Sequence, residues 1–184
     1  MAGGFVRAAR AADAAGLARV QVASWQAAFA GLVPPDVLGE LAGQEAVGQF
    51  TERWQAAISA PPTSRHRVHV AVAKPGEPEV LGFAAAGPAT DDDRWPATDG
   101  ELYELHVLPG LAAEGHDERL LNAVADTFAE DGFSTGYTWA LAGDSGRIGF
   151  LEAAGWAPDG SRASLDMGVK VPVVRLHTRL SPTS

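Results

Sequence analysis

Between His106 and Leu121 the chain reads His-Val-Leu-Pro-Gly-Leu-Ala-Ala-Glu-Gly-His-Asp-Glu-Arg-Leu-Leu. An extended apolar segment, residues 101–107, runs into a proline-bounded loop, and a helix begins near Gly115. Such a turn aims free backbone N–H groups, backed by the positive end of the helix dipole, at an anion such as a phosphate. The side chains oppose that layout. Where small or basic residues would suit an anion, this loop carries Glu114, Asp117 and Glu118. Unit charges ~5 Å apart at an effective dielectric of ~20 interact by about 3 kcal/mol, so Asp117 with one glutamate would oppose a phosphate by about 6 kcal/mol. A micromolar ligand is held by only ~8 kcal/mol. Unless the carboxylates point outward, or Arg119 and Arg147 swing in, the loop binds a phosphate weakly or not at all.

The elements that must position this loop follow from periodicity. Residues 6–9 form a first strand, and a helix capped by Asp13 runs to about Phe29, with Leu17, Val20, Trp25 and Phe29 on its apolar stripe. Pro34 and Pro35 end it and start a shorter helix over 36–41. A third helix over 44–59 places Val47, Phe50, Trp54 and Ile58 at spacings of three and four. Residues 68–72 and 80–86 pair as a hairpin across Lys-Pro-Gly-Glu-Pro. A polar loop, 90–99, then leads into the strand at 101–107, and the loop helix spans 117–130. A strand at 137–142, a helix at 147–154 and an antiparallel pair at 162–166 and 171–180 complete an α/β (α+β) mixed sheet.

The order of these segments is similar to the GNAT superfamily of acyl-CoA-dependent N-acyltransferases. Four stretches carry the resemblance: 22–34 around Trp25 and Pro34, the fourth strand Gly100 to Val107 with Pro109, Phe150-Leu151-Glu152-Ala153-Ala154-Gly155-Trp156, and the closing strand Pro172 to Leu176. The resemblance implies a GNAT-like single domain over 1–184, with a central, mostly antiparallel sheet of about seven strands flanked by helices. It implies acetyl-CoA or another acyl-CoA as cofactor. The backbone of Leu105, His106 and Val107 would pair with the pantetheine arm, and Gly115, with Asp117 at the last motif position, would meet the phosphates. Of the family's Gln/Arg-x-x-Gly-x-Gly/Ala loop, aligned on Ala112 to Asp117, Gly115 alone is kept, so the acetyl-CoA motif is degenerate and weak or absent binding is expected. Glu101 falls where some members carry a glutamate base, with Tyr103 and Glu104 on the same strand. Leu151 replaces the tyrosine that many members use as an acid. Trp25, Phe29, Trp95 and Tyr103 would line the acceptor site, where aromatic faces beside Asp91 to Asp93 and Asp99 suit a cationic amine.

Composition narrows the alternatives. The chain has 184 residues, 46% of them hydrophobic, a net charge of −9 and no cysteine. One domain with a sizeable core follows, as does the absence of disulfides and thiol nucleophiles. The acidic balance excludes a nucleic-acid partner, which needs a basic stripe. No apolar run reaches the ~18–20 residues of a membrane span. Residues 1–10 lack the order of a secretory signal, so a cytoplasmic location is expected. The five histidines show no metal-ligand spacing. The expected activity is acyl transfer from acyl-CoA to a small amine, with a homodimer left open. The alternative is a GNAT scaffold that has given up acetyl-CoA. It would bind a small, cationic ligand, run a CoA-independent reaction, or serve as an interaction subunit.

Overall fold

The computed structural model describes residues 4–180; residues 1–3 of the N-terminal stretch read above, and 181–184, lie outside the described residues. Among the described residues there are seven strands, β1 (Phe5–Ala8), β2 (Arg67–Val72), β3 (Gly82–Pro88), β4 (Asp99–Val107), β5 (Thr135–Leu141), β6 (Ala157–Asp166) and β7 (Lys170–Arg179). Five α-helices accompany them, α1 (Ala14–Ala28), α2 (Pro35–Leu41), α3 (Gln44–Ser59), α4 (His116–Glu130) and α5 (Ser145–Ala153). The strands form one sheet in the order β1-β2-β3-β4-β5-β7-β6. Every neighbouring pair is antiparallel except β4 with β5, which is parallel. The fold is the GNAT-like mixed sheet expected from the sequence.

Each helix begins where the local chemistry allows it. Asp13, expected to cap α1, makes no side-chain hydrogen bond to that helix; its buried carboxylate accepts instead from Arg7 (2.7 and 2.9 Å) and from the Arg10 N–H (2.7 Å), which lie before it. Pro35 opens α2 at the position where a missing N–H costs nothing. Asp144 caps α5 by accepting the Arg147 N–H at 2.8 Å.

The two faces of the sheet are covered by different helices. On one, Leu120, Leu121, Val124 and Phe128 of α4 and Leu151 of α5 pack on Leu102, Leu105, Ala140 and Leu176. On the other, Leu17 and Val20 of α1, with Trp54 and Ile58 of α3, pack on Val70, Val72 and Phe83. A third cluster joins Phe29, Val33 and Leu38 to Val171. Burying each large side chain contributes about 1.5–3 kcal/mol. Phe128 presses so closely on the parallel β4–β5 pair that a Cβ on Gly100 would lie 2.8 Å from its ring. Gly100→Ala should therefore overpack this face and lower stability by about 1–3 kcal/mol, read as a fall in the urea midpoint at constant slope.

Candidate active site

The parallel pairing of β4 with β5 lasts four residues, from Asp99↔Thr135 to Leu102↔Thr138. Thr138 Oγ1 closes its end by donating to the Leu102 carbonyl at 2.9 Å. Beyond that point β4 stays with β3 as far as Val107, and β5 stays with β7 as far as Leu141. The two strands therefore part, and the β5-facing edge of β4 is left without a strand partner from Tyr103 onward. The opening belongs to a cavity of about 750 Å³ bounded by β4, β5, α1, α5 and the end of β6.

Two side chains reach that edge. Arg147 Nη2 donates to the Leu105 carbonyl at 2.8 Å, and Ser24 Oγ donates to the Val107 carbonyl at 3.0 Å. A strand residue presents its N–H and C=O to the same edge. Leu105 and Val107 thus direct their backbone N–H groups into the opening, while His106, one residue out of phase, directs its own toward β3. The expectation of a backbone contact from His106 is corrected accordingly: its N–H is on the β3 side, although the residue lines the cavity.

A bulge sets which side chains accompany it. Ala85 pairs with Glu104 and Ala86 with Leu102, so Tyr103 is an extra residue in β4. Leu102 and Leu105 pack toward α4, whereas Tyr103, Glu104 and His106 turn to the other face, where the His106 ring lies 5.3 Å from that of Phe83. Glu104 Oε2 and His106 Nε2 are hydrogen-bonded, and both residues line the cavity. Sequence reasoning passed over this pair, although the i, i+2 spacing of a carboxylate and an imidazole on a strand is a signal for it.

Glu101 lies elsewhere. It is buried, its Oε2 accepts hydrogen bonds from the Thr90 N–H (2.8 Å) and Thr90 Oγ1 (2.6 Å), and it is absent from the cavity wall. Tyr103 lines the cavity but donates its hydroxyl to the Pro88 carbonyl at 2.5 Å. Burial, and then the Glu101 charge, push that phenol well above its usual range.

At the loop, Gly115 adopts φ 69°, a left-handed conformation open to glycine, and α4 starts directly after it. The first-turn N–H groups of α4 have no helical partner, but the Asp117 carboxylate folds back onto one of them, accepting the Glu118 N–H at 2.9 Å. Glu114 turns to His116 Nε2 at 3.2 Å. Arg119 bonds the Glu114 carbonyl at 2.6 Å and does not line the cavity, whereas Arg147 does. Burial pulls the Arg147 guanidinium below its usual range, and the Asp144 and Asp117 charges pull it partly back.

The expected aromatic site divides in two. Trp25 and Phe29 stand edge-to-face, with centroids 6.3 Å apart, on the cavity wall. Trp95 is 76% exposed and lines no part of that wall. Asp91 and Asp93 are not a solvated loop awaiting a cation, because Arg175 already occupies them. It is 3% exposed, bonds Asp91, Asp93, Asp159 and Ser161 at 2.6–2.8 Å, and lies 5.4 and 5.5 Å from the rings of Tyr137 and Trp139. Asp99 is likewise internal, accepting the Trp95 N–H at 3.0 Å.

Among the described residues no group of three or more His, Asp or Glu could hold a metal ion. The histidines are engaged instead with Thr63, Thr127, Glu104, Glu114 and the Tyr137 ring. Among the described residues no helix is long and apolar enough to cross a membrane.

The Arg175 network couples stability to pH. The Arg175 guanidinium, and then Arg94, hold the Asp93 carboxyl well below the carboxylate range. Burial alone would raise Asp159, but the Ser161 N–H and Arg175 outweigh it and keep it low. Folded values below the unfolded ones mean stability that is complete above about pH 5 and is lost as pH falls through the folded values. Arg175→Met is expected to lower the Tm at pH 7 and to flatten the fall in Tm between pH 5 and 3, measured by thermal melts across that range.

The same architecture occurs in known proteins, although no family model matches the chain. The uncharacterised N-acetyltransferase YuaI of Bacillus subtilis (strain 168) is 30% identical over 136 residues, covering 74% of this chain and 70% of that protein. The PaiA N-acetyltransferase of Thermoplasma acidophilum, solved in complex with coenzyme A, superposes with a TM-score of 0.69 at 13% identity, over 96% of this chain and 99% of its own. YncA of Salmonella typhimurium, solved with its cofactor acetyl-CoA, gives a TM-score of 0.69 at 14% identity, over 99% and 96%.

Proposed function

The chain belongs to the GNAT superfamily of N-acetyltransferases, and from that premise we propose that it transfers an acyl group from an acyl-CoA to a small amine in the opening between β4 and β5. The observation that carries this reading is the parting of the strands after Leu102, which leaves a β4 edge with free N–H groups facing a cavity of about 750 Å³. An extended amide-bearing arm fits such an edge, because Leu105 and Val107 can donate to it as a strand would. Acyl-CoA, when bound, supplies the activated thioester. The first turn of α4 after Gly115 offers backbone donors to its phosphates. Arg147 is the cation available from within the opening.

Glu104 is the proposed proton acceptor. It faces the cavity, and through His106 a proton taken from an incoming ammonium is shared between Glu104 Oε2 and His106 Nε2. Glu101, bonded to Thr90, is assigned to holding the start of β4 against the preceding loop. Leu151 contributes packing where many relatives carry a tyrosine, so this position supplies no proton to the departing thiolate.

A second reading is favoured by Asp117, whose carboxylate takes an α4 N–H and opposes a phosphate there. On that reading the scaffold binds an amine without acyl-CoA. Calorimetric titration with acetyl-CoA decides between them. The transferase reading expects a Kd of about 100 μM, near 5.5 kcal/mol, improved at least tenfold by combining Asp117→Gly with Glu114→Arg. No binding of acetyl-CoA at millimolar concentration to either protein would leave the second reading.

Turnover then tests the base. Glu104→Gln is expected to reduce kcat about 100-fold at neutral pH, with acetyl-CoA affinity unchanged and Glu101→Gln within a few-fold of the parent. The opposite ranking would return the role to Glu101.

A further inference from the structure

Behind the β4 bulge lies a second cavity, of about 320 Å³, between α3 and the sheet. Its walls are Phe50, Trp54 and Ala57 of α3, Pro62, and the Ala85–Ala86 segment of β3. Tyr103 and Glu104 line both cavities. The bulge is the reason, since it turns two consecutive residues of β4 to one face and sets Glu104 on the boundary between the two spaces. A second boundary is aromatic, because Trp25 of the larger cavity and Phe50 of the smaller stand edge-to-face with centroids 5.4 Å apart.

The polar groups of the smaller cavity are few and mostly committed. Trp54 Nε1 donates to Gln21 Oε1 at 2.8 Å, the Tyr103 hydroxyl serves Pro88, and His66 Nδ1 pairs with Thr63 Oγ1 at 2.9 Å. Arg67 is drawn off to Asp131 at 3.0 Å, and Arg53 is exposed at the mouth. The lining that remains is mainly apolar and aromatic, and its one carboxylate is that of Glu104, which also lines the larger cavity.

We infer that this second cavity seats the body of the acceptor, and that the acceptor is a primary amine on an aromatic or branched apolar group, its ammonium directed at Glu104. The inference rests on the transferase reading for its chemistry and on the two cavities alone for its binding. At roughly 30 Å³ per water, the space equals about ten water volumes, which suits a compact monoamine. A polyamine or an amino alcohol would leave a second polar group facing Phe50 and Trp54 without a partner, a cost that apolar walls do not repay. Arg53 lies in solvent, so a carboxylate on the acceptor would gain little there.

The test is direct binding, measured without any acyl donor. Phenethylamine, putrescine and ethanolamine are titrated into the full chain by ligand-observed NMR. The same titrations are made with Ala57→Leu and Ala57→Phe, which fill the cavity from α3 without touching Glu104, and thermal melts verify that both variants fold. Phenethylamine is expected to bind at least tenfold more tightly than the other two amines, to weaken several-fold in Ala57→Leu, and to lose binding in Ala57→Phe. Equal affinity for the three amines, or phenethylamine affinity unchanged in a folded Ala57→Phe, overturns the proposal. Because acetyl-CoA is titrated separately, amine binding with this pattern and no acetyl-CoA binding would refute the transferase and leave the cavity assignment standing. The reverse pattern would refute the cavity assignment alone.

Discussion

Everything in the opening depends on a sheet that stops pairing in its middle. Buried backbone groups without partners cost about 1–3 kcal/mol each, so two adjacent strands ordinarily zip to their ends. Here β4 and β5 are drawn apart by partners on their outer sides, β3 for one and β7 for the other. Arg147 and Ser24 then satisfy the two exposed carbonyls of β4. Side-chain caps of this kind leave the N–H groups of Leu105 and Val107 usable while limiting the penalty for an open edge. The bulge at Tyr103 acts on the same strand, turning Glu104 and His106 away from the α4 core.

The elements were largely legible in the sequence because apolar periodicity is local information. The helix expected over 44–59 is α3, Gln44–Ser59, and that expected over 117–130 is α4, His116–Glu130. The clearest discrepancy is β6, which starts at Ala157 and not near 162. Pro158 and Gly160 masked it: the register with β7 slips between Pro158 and Arg162, and a bulged strand lacks the strict alternation on which a sequence reading relies.

The site was legible in part, for a physical reason. Trp25 and Phe29 share a helix face, so their meeting on the cavity wall follows from spacing alone. Glu101 and Glu104 could not be ranked that way, because the extra residue between them changes which face each side chain takes. Nor could Asp91 and Asp93 be separated from a ligand cage. Their cation, Arg175, comes from β7, more than 80 residues further along the chain. The acidic loop before β4 is thereby part of an internal ion network that fastens it to β6 and β7.

Arg147 is where the acidic turn before α4 and the open edge of β4 meet. It is the cation of the opening, its field includes Asp117 and Asp144, and it holds the Leu105 carbonyl. An anionic cofactor placed along β4 would compete for it. Moving Arg147 from Leu105 to a phosphate would free that carbonyl to accept from an amide of the arm, so the bond given up is replaced while Asp117 loses its nearby positive charge. The net cost of the exchange is then electrostatic, set by how far Asp117 can turn toward solvent from its contact with the Glu118 N–H. A phosphate brought to the turn before α4 would thus meet one carboxylate, Asp117, and one guanidinium, Arg147. The turn itself places Gly115, in the left-handed conformation, directly before the first turn of α4.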